Sequence, residues 1–321
     1  MPNQTAINWN SVTDPLDKEV WDRLTTNFWL PEKVPVSNDL PEWNRMSKAE
    51  KTAVDKVFGG LTLLDSLQSE IGAIVLHEDA KDEHEKAVFT NIAFMESVHA
   101  KSYSTIFSTL RSSSEIDEIF DWVHNHEGLQ KKAEIIQTFY RQGSLNGEYE
   151  KALRKAASVL LESFLFYSGF YLPLKLASIG KLTNAADIIR LILRDEGVHG
   201  FYIGAKFQEH RKSLPSVERY RLDKEVQELL MQLYKLEVKY TEEVYDDLGW
   251  SGSVKDFLRY NANKAMMNLG YDIPFTHDCT PEAVILSSMA IDANENHDFF
   301  SGSGSSYVMG KAEETTDDDW G

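Results

Sequence analysis

The chain has 321 residues, enough for one large domain or two ordinary ones and for a sizeable core. Acidic residues outnumber basic ones 51 to 33, and the resulting net charge of −18 repels phosphate backbones, so no nucleic acid or anionic membrane is expected as a partner, and proteins are. A single cysteine, Cys279, excludes an internal disulfide framework, a paired-cysteine redox motif and a thiolate zinc cluster, and points to a reducing cytoplasm.

The first residues show no basic segment leading into an apolar one, so no secretion signal is expected, and the absence of an unbroken run of 18 apolar residues argues against a membrane span. From there on, apolar side chains recur every three or four positions with only 9 prolines to interrupt them. This spacing predicts helices over 14–28, 47–77, 81–111, 114–125, 127–142, 148–177, 183–209, 216–247 and 252–270. Alternating runs joined by Asn-Gly or Asp-Gly turns are lacking, so the expected fold is all-α. A helix of about 30 residues is ~45 Å long, the proportion of an antiparallel bundle and not of a compact ball. The body is expected over 1–299. Beyond it, residues 300–321 are glycine, serine and a block of acids with little to bury, which reads as a flexible acidic tail.

Two of these helices carry Glu-x-x-His: Glu96 with His99, and Glu196 with His199. Residues three apart share a helix face, so both side chains of a pair can reach one ion. Spacing alone is weak, since this composition supplies one or two such coincidences by chance and Asp121 with His124 makes a third. The third pair lies near a helix end beside Asn125 and His126 and reads as a solvated terminus. The first two sit mid-helix among apolar neighbours.

Each strong pair has a lone acid upstream: Asp65 in FGGLTLLDSLQS and Glu162 in ASVLLESFLFYSGF. The neighbours of Glu162 are apolar on nearly every side, leaving it no wet face. A carboxylate is rarely buried unless it is paired or binds a metal. Four carboxylates and two histidines from four helices match the di-iron or di-manganese bundle site, for which ferritin-like carboxylate proteins are the standing example. Four negative charges also balance two divalent ions. Tyr103, four residues after His99, projects from the same face close to that site; the alternative is a packed core tyrosine.

With Asp65, Glu96, His99, Tyr103, Glu162, Glu196 and His199 placed, the sequence resembles the small, radical-generating subunit of class Ib ribonucleotide reductase. The likeness runs through NFWLPEKVPVSND, VFGGLTLLDSLQSE, MESVHAKSYSTIFSTL, LESFLFYSGFYLPL, RLILRDEGVHGFYIG and FLRYNANKAMMNLG to the acidic end. The resemblance implies a ferritin-like fold, the six residues as ligands of two manganese or two iron ions, and a tyrosyl radical on Tyr103. It further implies a proton-coupled electron route through Asp195 and Trp29, and Tyr307 in the tail as relay to a large subunit. Read without the family, Trp29 is a core tryptophan and Asp195 an acid that orients a histidine. Some relatives replace three metal-binding glutamates and work without metal; Glu96, Glu162 and Glu196 are all present here, which indicates the metal-dependent branch. A homodimer, docking of the tail on the large subunit, and activation by a flavodoxin-like protein are implied as well. Two other readings share parts of the pattern. A ferritin-like dimetal oxidase or oxygenase acting alone needs the same six residues but not Tyr307, and a non-catalytic helical interaction protein needs none of them.

Overall fold

The computed structural model describes residues 6–141 and 147–290, and no strand occurs among them. In chain order the helices are α1 (Pro15–Thr26), α2 (Leu40–Arg45), α3 (Lys48–Leu67), α4 (Ala73–Glu78), α5 (Glu83–Leu110), α6 (Ser113–Asn125) and α7 (Glu127–Arg141). They are followed by α8 (Glu148–Leu160), α9 (Tyr167–Ser178), α10 (Thr183–Ser213), α11 (Ser216–Tyr245), α12 (Ser251–Asn268) and α13 (Ala283–Ala290). The all-α expectation holds. The expected body boundary at 299, the tail 300–321 and Tyr307 lie outside the described residues.

Local chemistry accounts for the starts. Ser47 and Ser112 each form a reciprocal capping box, with Glu50 and Glu115, and the Asp82 carboxylate accepts from the first N–H groups of α5. The start of α10 is capped from a distance: Asp39 accepts from the backbone N–H of Asn184 at 3.1 Å and of Ala185 at 2.8 Å. Sequence spacing misses α2 and α13, which are 6 and 8 residues long and too short to show a period.

Two of the long helices differ from the expected regular form. Lys48–Glu78 is continuous but contains a π-helical turn at Gln68–Gly72, and Glu148–Ser178 contains another at Leu161–Leu165. Each turn adds a residue to the helix and re-aims the side chains around it, and such turns cluster at functional sites. Asp65 precedes the first by three residues; Glu162 lies inside the second.

The bundle core pairs α3 with α5 and α8 with α10. α1 is fastened across it: Lys206 of α10 reaches Asp14 and Asp17 at 2.6 Å each, and Tyr202 donates to Asp17 at 2.7 Å. α12 lies very close to α10, where a Cβ on Gly204 would stand 2.4 Å from the Asn268 carbonyl oxygen. Buried ion pairs knit the outer helices on: Arg154 to Asp79 by two bonds of 2.6 Å, and Lys132 to Glu237 at 2.5 Å. The stretch Glu148–Ser178 is long and apolar enough to cross a bilayer, but its apolar window is wholly buried by the other helices, which accounts for its composition.

Candidate metal centre

α3 contributes Asp65; α5 contributes Glu96, His99 and Tyr103; the π-turn after α8 contributes Glu162; α10 contributes Asp195, Glu196 and His199. All six metal candidates are buried. Their donor atoms fall into two groups, Asp65, Glu96, His99 and Glu196 on one side and Glu96, Glu162, Glu196 and His199 on the other, with the atoms of each within 4.8 Å of one another. Glu96 and Glu196 belong to both. The His99 pocket has Nδ1 at 3.0 Å from Glu196, 3.6 Å from Glu96 and 3.7 Å from Asp65. In the His199 pocket, Nδ1 is 2.9 Å from Glu96, 3.8 Å from Glu196 and 3.9 Å from Glu162.

So many carboxylates in one dry place cannot all ionise unaided. Burial, joined by the charges of Glu96 and Glu196, pushes Asp65 well above the usual carboxylate range against the pull of His99. Burial and Glu96 likewise raise Glu162 and Glu196. Burial acts on Glu96 too, but its hydrogen bond with His199 and the nearby His99 imidazole outweigh it and hold this carboxyl at about 2. Both imidazoles are driven well above the ordinary histidine value: burial opposes this, and the neighbouring carboxylates of Asp195, Asp65, Glu196 and Glu96 prevail at His99, and those of Glu196 and Glu96 at His199.

The donors fit two divalent cations. Both oxygens of Asp65 and of Glu196, Oε2 of Glu96 and Oε2 of Glu162 are buried with no hydrogen-bond partner among the described residues. Buried polar atoms are rarely left so, and an oxygen-rich set with two imidazoles is what hard divalent ions take.

Around the donors lie groups that orient them. Asp195 Oδ2 accepts from the Trp29 indole N–H at 2.7 Å and lies 3.1 Å from His99 Nε2, so one carboxylate joins a pocket histidine to a buried tryptophan. The Trp29 and His99 rings are also nearly parallel, with centroids 6.0 Å apart. Tyr103 is fully buried, its ring 5.7 Å from that of Phe58, and its hydroxyl has no hydrogen-bond partner. Burial, then the charges of Asp65, Glu196 and Glu96, push this phenol well above its ordinary value, so it stays protonated. The structure thus brings together every sequence candidate that falls within the described residues. Asp121 and His124 are exposed near the end of α6, as a solvated terminus requires.

Sequence reasoning missed the residues around Glu162. Gln68 donates through Nε2 to Glu162 Oε1 and, at 2.6 Å, to Ser158, while Tyr140 donates to Gln68 Oε1 at 2.6 Å. The sequence signal was a polar amide three residues after Asp65, on the same helix face.

A helical body with two carboxylate-imidazole pockets sharing two glutamates defines the ferritin-like dinuclear carboxylate class. Within that class the model of the family "Ribonucleotide reductase, small chain" matches residues 6–282, and the chain belongs to this family. It is 58% identical over 317 residues, 98% of this chain and 96% of the other, to the ribonucleoside-diphosphate reductase subunit beta nrdF2 of Mycobacterium tuberculosis. Against the ribonucleoside-diphosphate reductase 2 subunit beta of Escherichia coli the identity is 53%, covering 98% of each chain. Among solved structures, the dimanganese(II) NrdF of Streptococcus sanguinis superposes with a TM-score of 0.84 at 52% identity, covering 89% of this chain and 100% of that one. The class Ib resemblance expected from the sequence therefore holds. Small subunits of this family are dimeric and work with a large subunit.

Proposed function

We propose that the chain is the radical-generating beta subunit of a class Ib ribonucleoside-diphosphate reductase. In this reading Asp65, Glu96, His99, Glu162, Glu196 and His199 hold two manganese or two iron ions. When bound, these ions supply the oxidising power that removes an electron from Tyr103. The observation that carries the reading is a pair of buried pockets with unpartnered carboxylate oxygens, set beside a buried tyrosine whose hydroxyl is also unpartnered.

The residues divide the work. Apolar packing around Tyr103 excludes water from an oxidised phenol, and the missing hydrogen bond leaves its hydroxyl without a fixed proton acceptor. Asp195 holds its place between the His99 ring and the Trp29 N–H, so it can pass a proton while an electron moves between the rings. Tyr307, outside the described residues, is the proposed relay onward to a large subunit that binds the ribonucleotide. The tail would order on docking. A flavodoxin-like partner supplying the oxidant, a homodimer of this chain and a cytoplasmic setting complete the proposal. A ferritin-like oxidase acting alone would use the same six donors, and membership of the reductase family favours the main reading over it.

The test is metal analysis with electron paramagnetic resonance (EPR) of the loaded protein. Two ions per chain and a tyrosyl signal are expected, with the signal lost and the metal kept in Tyr103→Phe; an unchanged signal in that variant refutes the assignment. Deleting residues from 302 onward should spare radical formation and abolish reduction with the large subunit, and full activity without the tail would reject its role.

A further inference from the structure

The two pockets differ in what surrounds them. His99 of the first is tied to a charged acid, Asp195, whereas Glu162 of the second is tied to a neutral amide. We propose that Gln68 is a positioning residue that holds Glu162 with one oxygen available to the ion of the His199 pocket, and that Tyr140 locks the amide in the orientation this requires. The proposal rests on the dimetal reading above.

As a metal ligand Glu162 is an ionised carboxylate, which only accepts, so the face of Gln68 turned to it is its NH2 group. That assignment is over-determined. The same Nε2 donates to Ser158 Oγ at 2.6 Å, Ser158 Oγ lies 3.4 Å from the same Glu162 Oε1, and the opposite end of the amide accepts the Tyr140 hydroxyl at 2.6 Å. A flipped amide would set carbonyl against carboxylate. All four side chains are buried, so water cannot stand in for any of these bonds.

The result at Glu162 is a division of labour between its oxygens. Oε1 is engaged by Gln68, while Oε2 has no hydrogen-bond partner and faces the pocket, 3.9 Å from His199 Nδ1. Helix geometry is shaped to permit it. Gln68 opens the first π-turn and Glu162 lies in the second, so both partners sit where the helix is re-aimed. Gly72 closes that first turn, and a Cβ there would stand 2.0 Å from Gln68 Oε1 and 2.8 Å from Tyr140 Cε2, so only glycine leaves room for the amide and its lock. Groups that orient a ligand typically change metal affinity by about 10- to 100-fold when removed. Because Gln68 bonds Glu162, which belongs only to the His199 pocket, the loss should fall on one ion and not on both.

The experiment titrates metal-free protein with Mn(II) alone and follows bound metal by equilibrium dialysis and its EPR spectrum. Wild type should take up two ions per chain and give the signal of a coupled pair. Gln68→Met keeps the length of the side chain without its donors and should bind one ion as wild type does and the second about 10- to 100-fold more weakly, so that one equivalent gives an isolated Mn(II) spectrum. Tyr140→Phe removes only the lock and should weaken the same ion by a smaller factor; it carries the test even where Gln68→Met does not fold. Two wild-type affinities in both variants, or equal weakening of both ions in Tyr140→Phe, would overturn the proposal. A wild-type chain that binds no Mn(II) would instead overturn the dimetal reading itself, and this proposal with it.

Discussion

Replacing Tyr103 by Phe should make the metal-free protein more stable. The side chain is fully buried and its hydroxyl has no partner, so the folded state carries a polar group that has lost water and gained nothing in return. Leaving a buried donor unsatisfied costs about 1–3 kcal/mol, whereas the ring contacts, including the one to Phe58 at 5.7 Å, survive in Phe. The change should therefore raise stability by about 1–2 kcal/mol, which in a chain of this size is a rise in melting temperature of roughly 1.5–3 °C. Calorimetry of metal-free wild type and variant measures it directly. A lower melting temperature in the variant would mean that the hydroxyl is bonded in the fold, and the claim that it is kept for chemistry and not for structure would fail.

Asp195→Asn should weaken Mn(II) binding in the His99 pocket by about 10- to 100-fold, because His99 loses a charged partner at 3.1 Å while the Trp29 N–H keeps an acceptor; unchanged affinity for both ions in a dialysis titration would refute this. Burial lowers Lys155 to about 8, against the opposing charges of Glu85 and Asp79. Between pH 8 and 10.5 the unfolded chain then holds a proton that the folded chain has lost, so stability should rise with pH over that window by about 3 kcal/mol, and Lys155→Met should remove this rise. Parallel stability profiles for the two proteins would contradict it. Gly204→Ala should destabilise by about 1–3 kcal/mol despite the better helix propensity of alanine, since the new methyl meets the rigid Asn268 carbonyl at 2.4 Å. A melting temperature at or above wild type would show that α12 can give way.

How far the sequence could be read depended on how local each signal was. The helix period marked nine stretches that cover eleven of the thirteen described helices, because each repeats its apolar face many times, and α2 and α13 were lost because they do not. Asp65, Glu162 and the two Glu-His pairs stood out for an energetic reason: a carboxylate among apolar neighbours needs a partner, and none was near in sequence. The sharing of Glu96 and Glu196 between pockets was not legible, because it depends on how α5 faces α10 across the bundle. The π-turns were hidden too, since one inserted residue leaves an apolar run looking helical. Gln68, Ser158 and Tyr140 come from two separate helices and a π-turn, and only the fold brings them together at Glu162.

The asymmetry of these outer contacts bears on how a destabilising site persists in a stable bundle. Four buried carboxylates with unpartnered oxygens weaken the metal-free fold wherever they ionise. The imidazoles offset part of this by holding protons above their ordinary range, and Glu96, bonded to His199 and close to His99, is the one carboxyl of the four held down at about 2. The His99 pocket is stabilised by a further carboxylate, Asp195, which also accepts from the indole N–H of the buried Trp29. The His199 pocket is stabilised by a neutral amide that leads only into the core, where Tyr140 is buried as well. A charged outer partner raises the basicity of its histidine, whereas a neutral one fixes geometry. The two pockets thus differ not only in their donors, Asp65 against Glu162, but in the charge of the side chain bonded behind them, Asp195 beside His99 and Gln68 beside Glu162.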